Sequence, residues 1–222
     1  MTVELLTFED MQEAFYREVG EESGNSRWKD PTIRKAWINE GQLDVVTKTR
    51  CLEEKWTTDV GVYTDEDDEI VTLPDEAYED GIISIWWIDS NSSYTELTEF
   101  NPAFKSIQND TSSPGTPSQY YRVGRNIYLM PVPVAAGTVC IIGARKPDEL
   151  VNLSDQSLIE AAFRHLPVKY AVVKAHLEDD EYQKYSLTKA EYLQGILELR
   201  AIVKRRRGKV ARRMNFPRRL LG

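Results

Sequence analysis

His165 and His176 are the only histidines in the chain, and they stand eleven residues apart. That is about three helical turns, but Pro167 lies between them, which argues against one straight helix carrying both. Neither has a cysteine or carboxylate at metal-ligand spacing. A helix-surface position or a satisfied core position is therefore the expectation for each. Cys51 and Cys140 are the only cysteines. Far apart in sequence, they read as two buried free thiols in a reducing compartment rather than as a disulfide. The acidic run Asp65-Glu66-Asp67-Asp68-Glu69 lacks the spaced oxygens and the central glycine of a helical calcium loop. It reads as a solvated hairpin tip. No dinucleotide fingerprint, phosphate loop, Gly-x-Ser-x-Gly elbow or His-Glu-x-x-His zinc helix occurs. The expectation is a non-enzyme with no catalytic, cofactor-binding or metal residues.

The five tryptophans, Trp28, Trp37, Trp56, Trp86 and Trp87, could in principle stack on single-stranded bases. Such platforms are interleaved with Lys and Arg, whereas the aromatic segments here are acid-rich, so core packing and subunit contacts fit them better. The basic residues lie elsewhere. The net charge is −8, yet nine of the 28 Lys and Arg fall within residues 204–222, which hold no acid. Residues 1–203 are left with 19 bases against 36 acids, a net charge of −17. The basic end comprises Lys204, Arg205, Arg206, Arg207, Lys209, Arg212, Arg213, Arg218 and Arg219, with Met214, Phe216, Leu220 and Leu221 among them. Three readings stand open: a solvated tail, a strip that contacts nucleic-acid phosphates, and an arm that orders on an acidic partner. The apolar residues favour the arm, because a purely electrostatic tail needs no Phe-Pro or Leu-Leu.

The elements that must position this arm can be read from periodicity. Thr7 with Asp10 three residues on predicts a capped helix, with Phe8, Met11, Phe15 and Val19 on one face and Gly20 ending it. Asp30-Pro31 starts a second helix to about Lys48, with Ile33, Trp37, Ile38 and Val45 as its apolar face. From Cys51, short runs rich in Val, Ile, Thr, Tyr and Trp over 51–64, 68–74, 81–89, 92–99, 119–123, 126–131 and 137–144 predict antiparallel strands. Gly124-Arg125 marks the clearest hairpin, and Ile82–Ile88 reads as the clearest buried strand. Residues 112–118 form an exposed loop. Ser154 is placed to cap a short helix to about Arg164, Pro167 opens another helix, and a last long helix carrying Tyr185, Leu187, Tyr192, Ile196, Leu199 and Val203 runs to Gly208. No run approaches the ~18 apolar residues of a membrane span, and no secretory signal opens the chain. The expected fold class is α+β: an antiparallel helical bundle formed by both ends of the chain, with an inserted antiparallel β domain. Its parts are 1–50 and 151–203 for the bundle, 51–150 for the β domain, and 204–222 for the basic arm.

The order of these elements resembles the head-to-tail adaptor proteins of tailed bacteriophages. The matching residues are Ile33-x-x-x-Trp37-Ile38-Asn39-x-Gly41-Gln42-x-Asp44, then Ile127-Tyr128-Leu129-x-Pro131-x-Pro133, then Lys146-Pro147-x-x-Leu150 and Leu166-Pro167-x-x-Tyr170-Ala171. The resemblance covers residues 5 to about 200. It implies a structural subunit of the virion neck, made in the host cytoplasm. Such a subunit forms a ring of its own copies, typically twelve-fold, under the portal protein, and tail, nozzle or fibre proteins attach below. Genomic DNA would pass through the lumen without sequence-specific binding, the C-terminal arm would grip the portal, and no membrane is involved. The alternative is a nucleic-acid-binding or regulatory phage protein working through its basic tail.

Overall fold

A computed structural model describes residues 7–20, 28, 30–61, 70–100 and 114–214, with residues 209–214 described as backbone only. The expected acidic hairpin tip at 65–69, most of the loop at 21–29, and the 112–113 end of the expected loop at 112–118 lie outside these residues. The chain divides into two compact units, Met1–Leu52 with Lys146–Gly222, and Glu53–Arg145. The fold is α+β, and among the described residues it has four α-helices and a nearly closed sheet of seven strands.

In the first unit, α1 spans Phe8–Val19 and α2 spans Pro31–Thr49. The Thr7 side chain accepts from the Asp10 backbone N–H and the Asp10 carboxylate accepts from the Thr7 N–H, a complete capping box. Gly20 closes α1 in the left-handed conformation, at φ +76°, where a Cβ would cost energy. Asp30 caps α2, accepting from the Thr32 N–H at 2.8 Å, and Pro31 opens its first turn. α3 spans His165–Glu178 and α4 spans Tyr182–Met214. α3 packs against α1, α2 and α4. Phe8, Met11 and Phe15 of α1, Ile38 of α2, Val168, Ala171, Val172 and Ala175 of α3, and Trp28 and Leu150 form one buried apolar cluster. Trp37 packs at its margin, 5.0 Å from Trp28 between ring centroids.

Three expectations for this unit are corrected. Both histidines do lie on one helix, α3, because Pro167 occupies its third residue. There the missing N–H would have had no helical acceptor in any case. The helix expected from Ser154 to Arg164 does not form, apart from a 3₁₀ turn at Ala161–Phe163. Its carbonyls are committed to α1, whose free N-terminal N–H groups need acceptors: Phe8 N–H donates to Asp155 O at 2.8 Å and Glu9 N–H to Leu153 O at 3.0 Å. The Asp155 carboxylate in turn accepts from the Val151 and Asn152 N–H groups, each at 2.8 Å. Finally, α4 does not stop at Gly208 but continues to Met214. A glycine inside a helix costs only ~1 kcal/mol against alanine, and the Lys, Arg and Ala around it are good helix formers.

The second unit is the sheet. Its strands are β1 (Glu53–Val60), β2 (Ile70–Thr72), β3 (Ala77–Asp89), β4 (Tyr94–Glu99), β5 (Gln119–Val123), β6 (Asn126–Met130) and β7 (Gly137–Arg145). They are ordered β1-β7-β3-β4-β5-β6-β2. The β5–β6 hairpin turns at Gly124-Arg125, with Gly124 at φ +60°. All pairings are antiparallel except β4 with β5, which is parallel through Thr98↔Gln119 and Glu99↔Tyr120. A tight turn can only reverse a strand, whereas the long connection between these two lets the chain return in the same direction. β3 is half-buried rather than buried throughout. Ile85 and Trp87 enter the sheet's core with Val139, Ile141, Ile127 and Leu129, while Ile83 faces outward. The register shift around Ile82–Ser84 marks an irregularity in this strand. Cys140 is buried, Cys51 is half-buried, and both are free.

Candidate functional site

Three of the sequence motifs meet in the first unit. Along one side of α2, Lys35, Asn39 and Gln42 recur at helical spacing and bind the backbone of the chain that leaves the sheet. Lys35 Nζ donates to Val151 O (3.4 Å), Asn39 Nδ2 to Leu150 O (3.0 Å) and Gln42 Nε2 to Asp148 O (2.7 Å). Asn39 Oδ1 also accepts from the Leu150 N–H at 2.9 Å. Gly41 lies on the contact with α3, where a Cβ would fall 2.7 Å from the Pro167 carbonyl oxygen and 2.9 Å from Tyr170 Cβ. Next to it, Glu40 accepts from the Tyr170 hydroxyl at 2.6 Å and from Lys174 at 3.0 Å. Burial pushes the Glu40 carboxyl up, but those two donors outweigh it and hold it below its ordinary value. Asp44 accepts from the Tyr192 hydroxyl of α4 and from Lys48 at 2.7 Å. Burial and then the Asp44 bond push the Tyr192 phenol far above its ordinary value. Of the motif residues, Ile38 is fully buried, whereas Ile33 is exposed. The motif helix therefore acts as a clamp that orders α3, α4 and the Pro147–Val151 segment.

The clamp fixes the helix that carries the basic residues. The buried line of α4 is Thr188, Tyr192, Ile196, Leu199 and Val203, and Gly195 lets Leu166 pack close to its backbone. At its start, the buried His176 ring is held by Glu181, Nδ1 to Oε2 at 2.8 Å, so it is a satisfied core histidine. His165 is exposed. At the other end, Lys204, Arg205 and Arg206 are exposed and Arg207 is half-buried. Arg206 pairs with Glu160 at 2.8 Å, and Arg207 donates to the Arg50 carbonyl at 2.9 Å. Two of the nine bases thus anchor α4 to its own unit. The backbone of Lys209, Arg212, Arg213 and Met214 continues the helix, while Phe216, Arg218, Arg219, Leu220 and Leu221 lie outside the described residues.

Sequence reasoning put Leu187 with the core residues of α4 and missed Leu193 and Leu197. Leu187 and Leu197 are each 65 % exposed and Leu193 is 43 % exposed. At 3.6 residues per turn Leu187 and Leu197 lie roughly opposite the buried line, and Leu193 lies on its flank. Their spacing was the available signal, masked by the stronger core pattern of Tyr192, Ile196, Leu199 and Val203. Val151, Leu153 and Leu158 are likewise exposed, and of these only Leu158 lay within the helix expected from Ser154. Among the described residues no group of His, Cys, Asp and Glu is arranged to hold a metal ion. A depression of about 300 Å³ beside α2 is lined by Leu43, Pro147 and Glu149 among others, and no catalytic constellation lies in it. Among the described residues no helix is long and apolar enough to cross a membrane.

A search of curated proteins gives no match. A family model described as SU10 adaptor protein matches residues 6–216, from just before α1 to just past the end of α4. Because that match spans the clamp, the sheet and the basic helix together, the chain belongs to the SU10 adaptor protein family, a family of phage head-to-tail adaptors.

Proposed function

We propose that this chain is a structural subunit of the phage neck. Copies of it form a ring, twelve-fold in this reading, beneath the portal protein, extend the DNA channel, and offer the attachment site for tail, nozzle or fibre proteins. Both ends of the chain then close one antiparallel helical bundle, and the sheet is the inserted domain that meets the tail. The basic end from Lys204 to Leu221 is the portal-docking arm, with Met214, Phe216, Leu220 and Leu221 as its apolar anchors. The observation that carries the reading is the family match over residues 6–216. The charge layout supports it. A body with a net charge of −17 gives the walls of a DNA channel a repulsive potential, whereas basic walls would hold phosphate. In this reading the bases of residues 204–222 are withdrawn from the channel, Arg206 and Arg207 into the contacts that anchor α4 and most of the others into the portal contact.

The test is deletion of residues 204–222, with capture by purified portal protein and DNA retention measured side by side. The expected result is loss of portal capture with the fold retained. Unchanged portal capture, with DNA retention lost instead, would overturn the reading in favour of a nucleic-acid-binding protein.

A further inference from the structure

Resting on the ring reading above, we propose that the outward leucine line of α4 in one copy docks on the Val151–Leu158 segment of the next copy, head to tail. Both surfaces belong to the first unit. On α4, Leu187, Leu193 and Leu197 form an apolar line on a helix whose other face is already buried. Exposed Lys189, Arg200 and Lys204 run along one edge of that line, with Glu191 and Glu198 on the other edge. In the Val151–Leu158 segment, Val151, Leu153 and Leu158 are each more than half exposed. Around them, residues 147–163 hold Asp148, Glu149, Asp155 and Glu160 and no base. Lys35 of α2 reaches this segment through the Val151 carbonyl, and Arg206 is paired with Glu160. The Asp155 carboxyl, fixed by the Asn152 and Val151 N–H groups, is held below its ordinary range and stays ionised. The apolar line of α4 carries bases on one edge and acids on the other, the apolar patch carries acids, and the basic edge is the one that matches the patch.

The competing arrangement pairs the leucine line with itself, and it sets bases against bases, along the line in its antiparallel form and at the end of α4 in its parallel form. In an antiparallel pair, like edges meet, so Lys189, Arg200 and Lys204 face their own copies. In a parallel pair, exposed Lys204, Arg205 and Arg206 at the end of α4 run beside their own copies. Packed helices lie 8–10 Å apart, about one Debye length at physiological salt, so salt weakens that repulsion without abolishing it. The head-to-tail contact puts the bases against acids instead. It also uses two different surfaces, which is what a closed ring of more than two copies requires.

The test uses phage particles carrying the subunit with paired cysteines, Leu153→Cys with Leu197→Cys, and independently Leu158→Cys with Leu193→Cys. The unsubstituted chain is the control, since Cys140 is buried and burial pushes the Cys51 thiol up, away from reactivity. After oxidation or a short bis-maleimide, the expected result is a covalent ladder extending beyond dimer that needs both cysteines of a pair. Dimers from Leu197→Cys alone would overturn the proposal in favour of self-pairing of the line. Absence of a ladder from both pairs, in particles that contain several copies of the subunit, would also overturn it. Particles that contain no subunit refute the ring reading itself, and this docking with it.

Discussion

Asn39→Ala removes the two-pronged hold of α2 on Leu150. The carboxamide donates to the Leu150 carbonyl at 3.0 Å and accepts from its N–H at 2.9 Å, and Leu150 is 3 % exposed in the apolar cluster of the first unit. Alanine leaves both backbone groups without a partner. An orphaned buried neutral group costs roughly 1–3 kcal/mol. Asn39 itself is only half-buried, so water can recover part of that, and we expect a loss of about 3 kcal/mol for the pair. For a chain of this length, each kcal/mol moves the melting temperature by about 2–4 °C, so the melting point of the helical unit should fall by roughly 6–12 °C. Asn39→Asp keeps the acceptor for the Leu150 N–H but turns an oxygen toward its carbonyl, and should lose about half as much. Because the chain has two units, a single global transition is not the right readout. Urea unfolding should be followed by hydrogen exchange in peptides from α2, α3 and residues 148–151. A loss below about 0.5 kcal/mol for Asn39→Ala, the level of an ordinary surface substitution, would refute the clamp.

Gly41→Ala should destabilise, although alanine is the better helix former by about 1 kcal/mol. Its Cβ would meet backbone of α3 at 2.7 Å, and overpacking of this kind costs about 1–3 kcal/mol; a raised melting temperature would contradict the close approach. Stability should also fall in acid. The Asp10 carboxyl is lowered by the Thr7 N–H and hydroxyl, and the Glu40 carboxyl is lowered on balance by Tyr170 and Lys174. Depressed carboxyls contribute fully above their unfolded values near 4 and lose that contribution as the pH drops through the folded values. The urea midpoint should therefore decline below about pH 4.5, and less steeply in Glu40→Gln; a flat profile would count against these bonds. In alkali the sign reverses. Burial first, and then the bonds to Glu40 and Asp44, raise the Tyr170 and Tyr192 phenols, so their contribution is present below an unfolded value near 10 and lost above it. Of the eleven tyrosines, these two should ionise only with unfolding in a titration followed by ultraviolet absorbance. Free titration of all eleven in the folded chain would contradict the buried pairs.

What the sequence determined by itself was whatever a few neighbouring residues decide. Thr7 with Asp10 and Asp30 with Pro31 set two helix starts, and Gly124-Arg125 set the hairpin. The seven apolar β runs became seven strands, because period-two alternation and turn residues act within one element. The asymmetry between an acidic body and a basic end needs no structure at all. The motif Trp37-Ile38-Asn39-x-Gly41-Gln42-x-Asp44 was legible as a pattern, but its purpose was not. Asn39 and Gln42 bind carbonyls more than a hundred residues away, and no local signal specifies such a partner. The same holds where the reading failed. Residues 151–158 run in turns and bends rather than a helix because α1 takes the Leu153 and Asp155 carbonyls, and β4 meets β5 in parallel because a long connection permits it. The outward leucines of α4 stay uncovered because Tyr192, Ile196, Leu199 and Val203 win the single core face available to the helix. Tertiary structure decided these points because hydrogen-bond partners and buried area are shared between distant segments, and only the folded chain shows which segment obtains them.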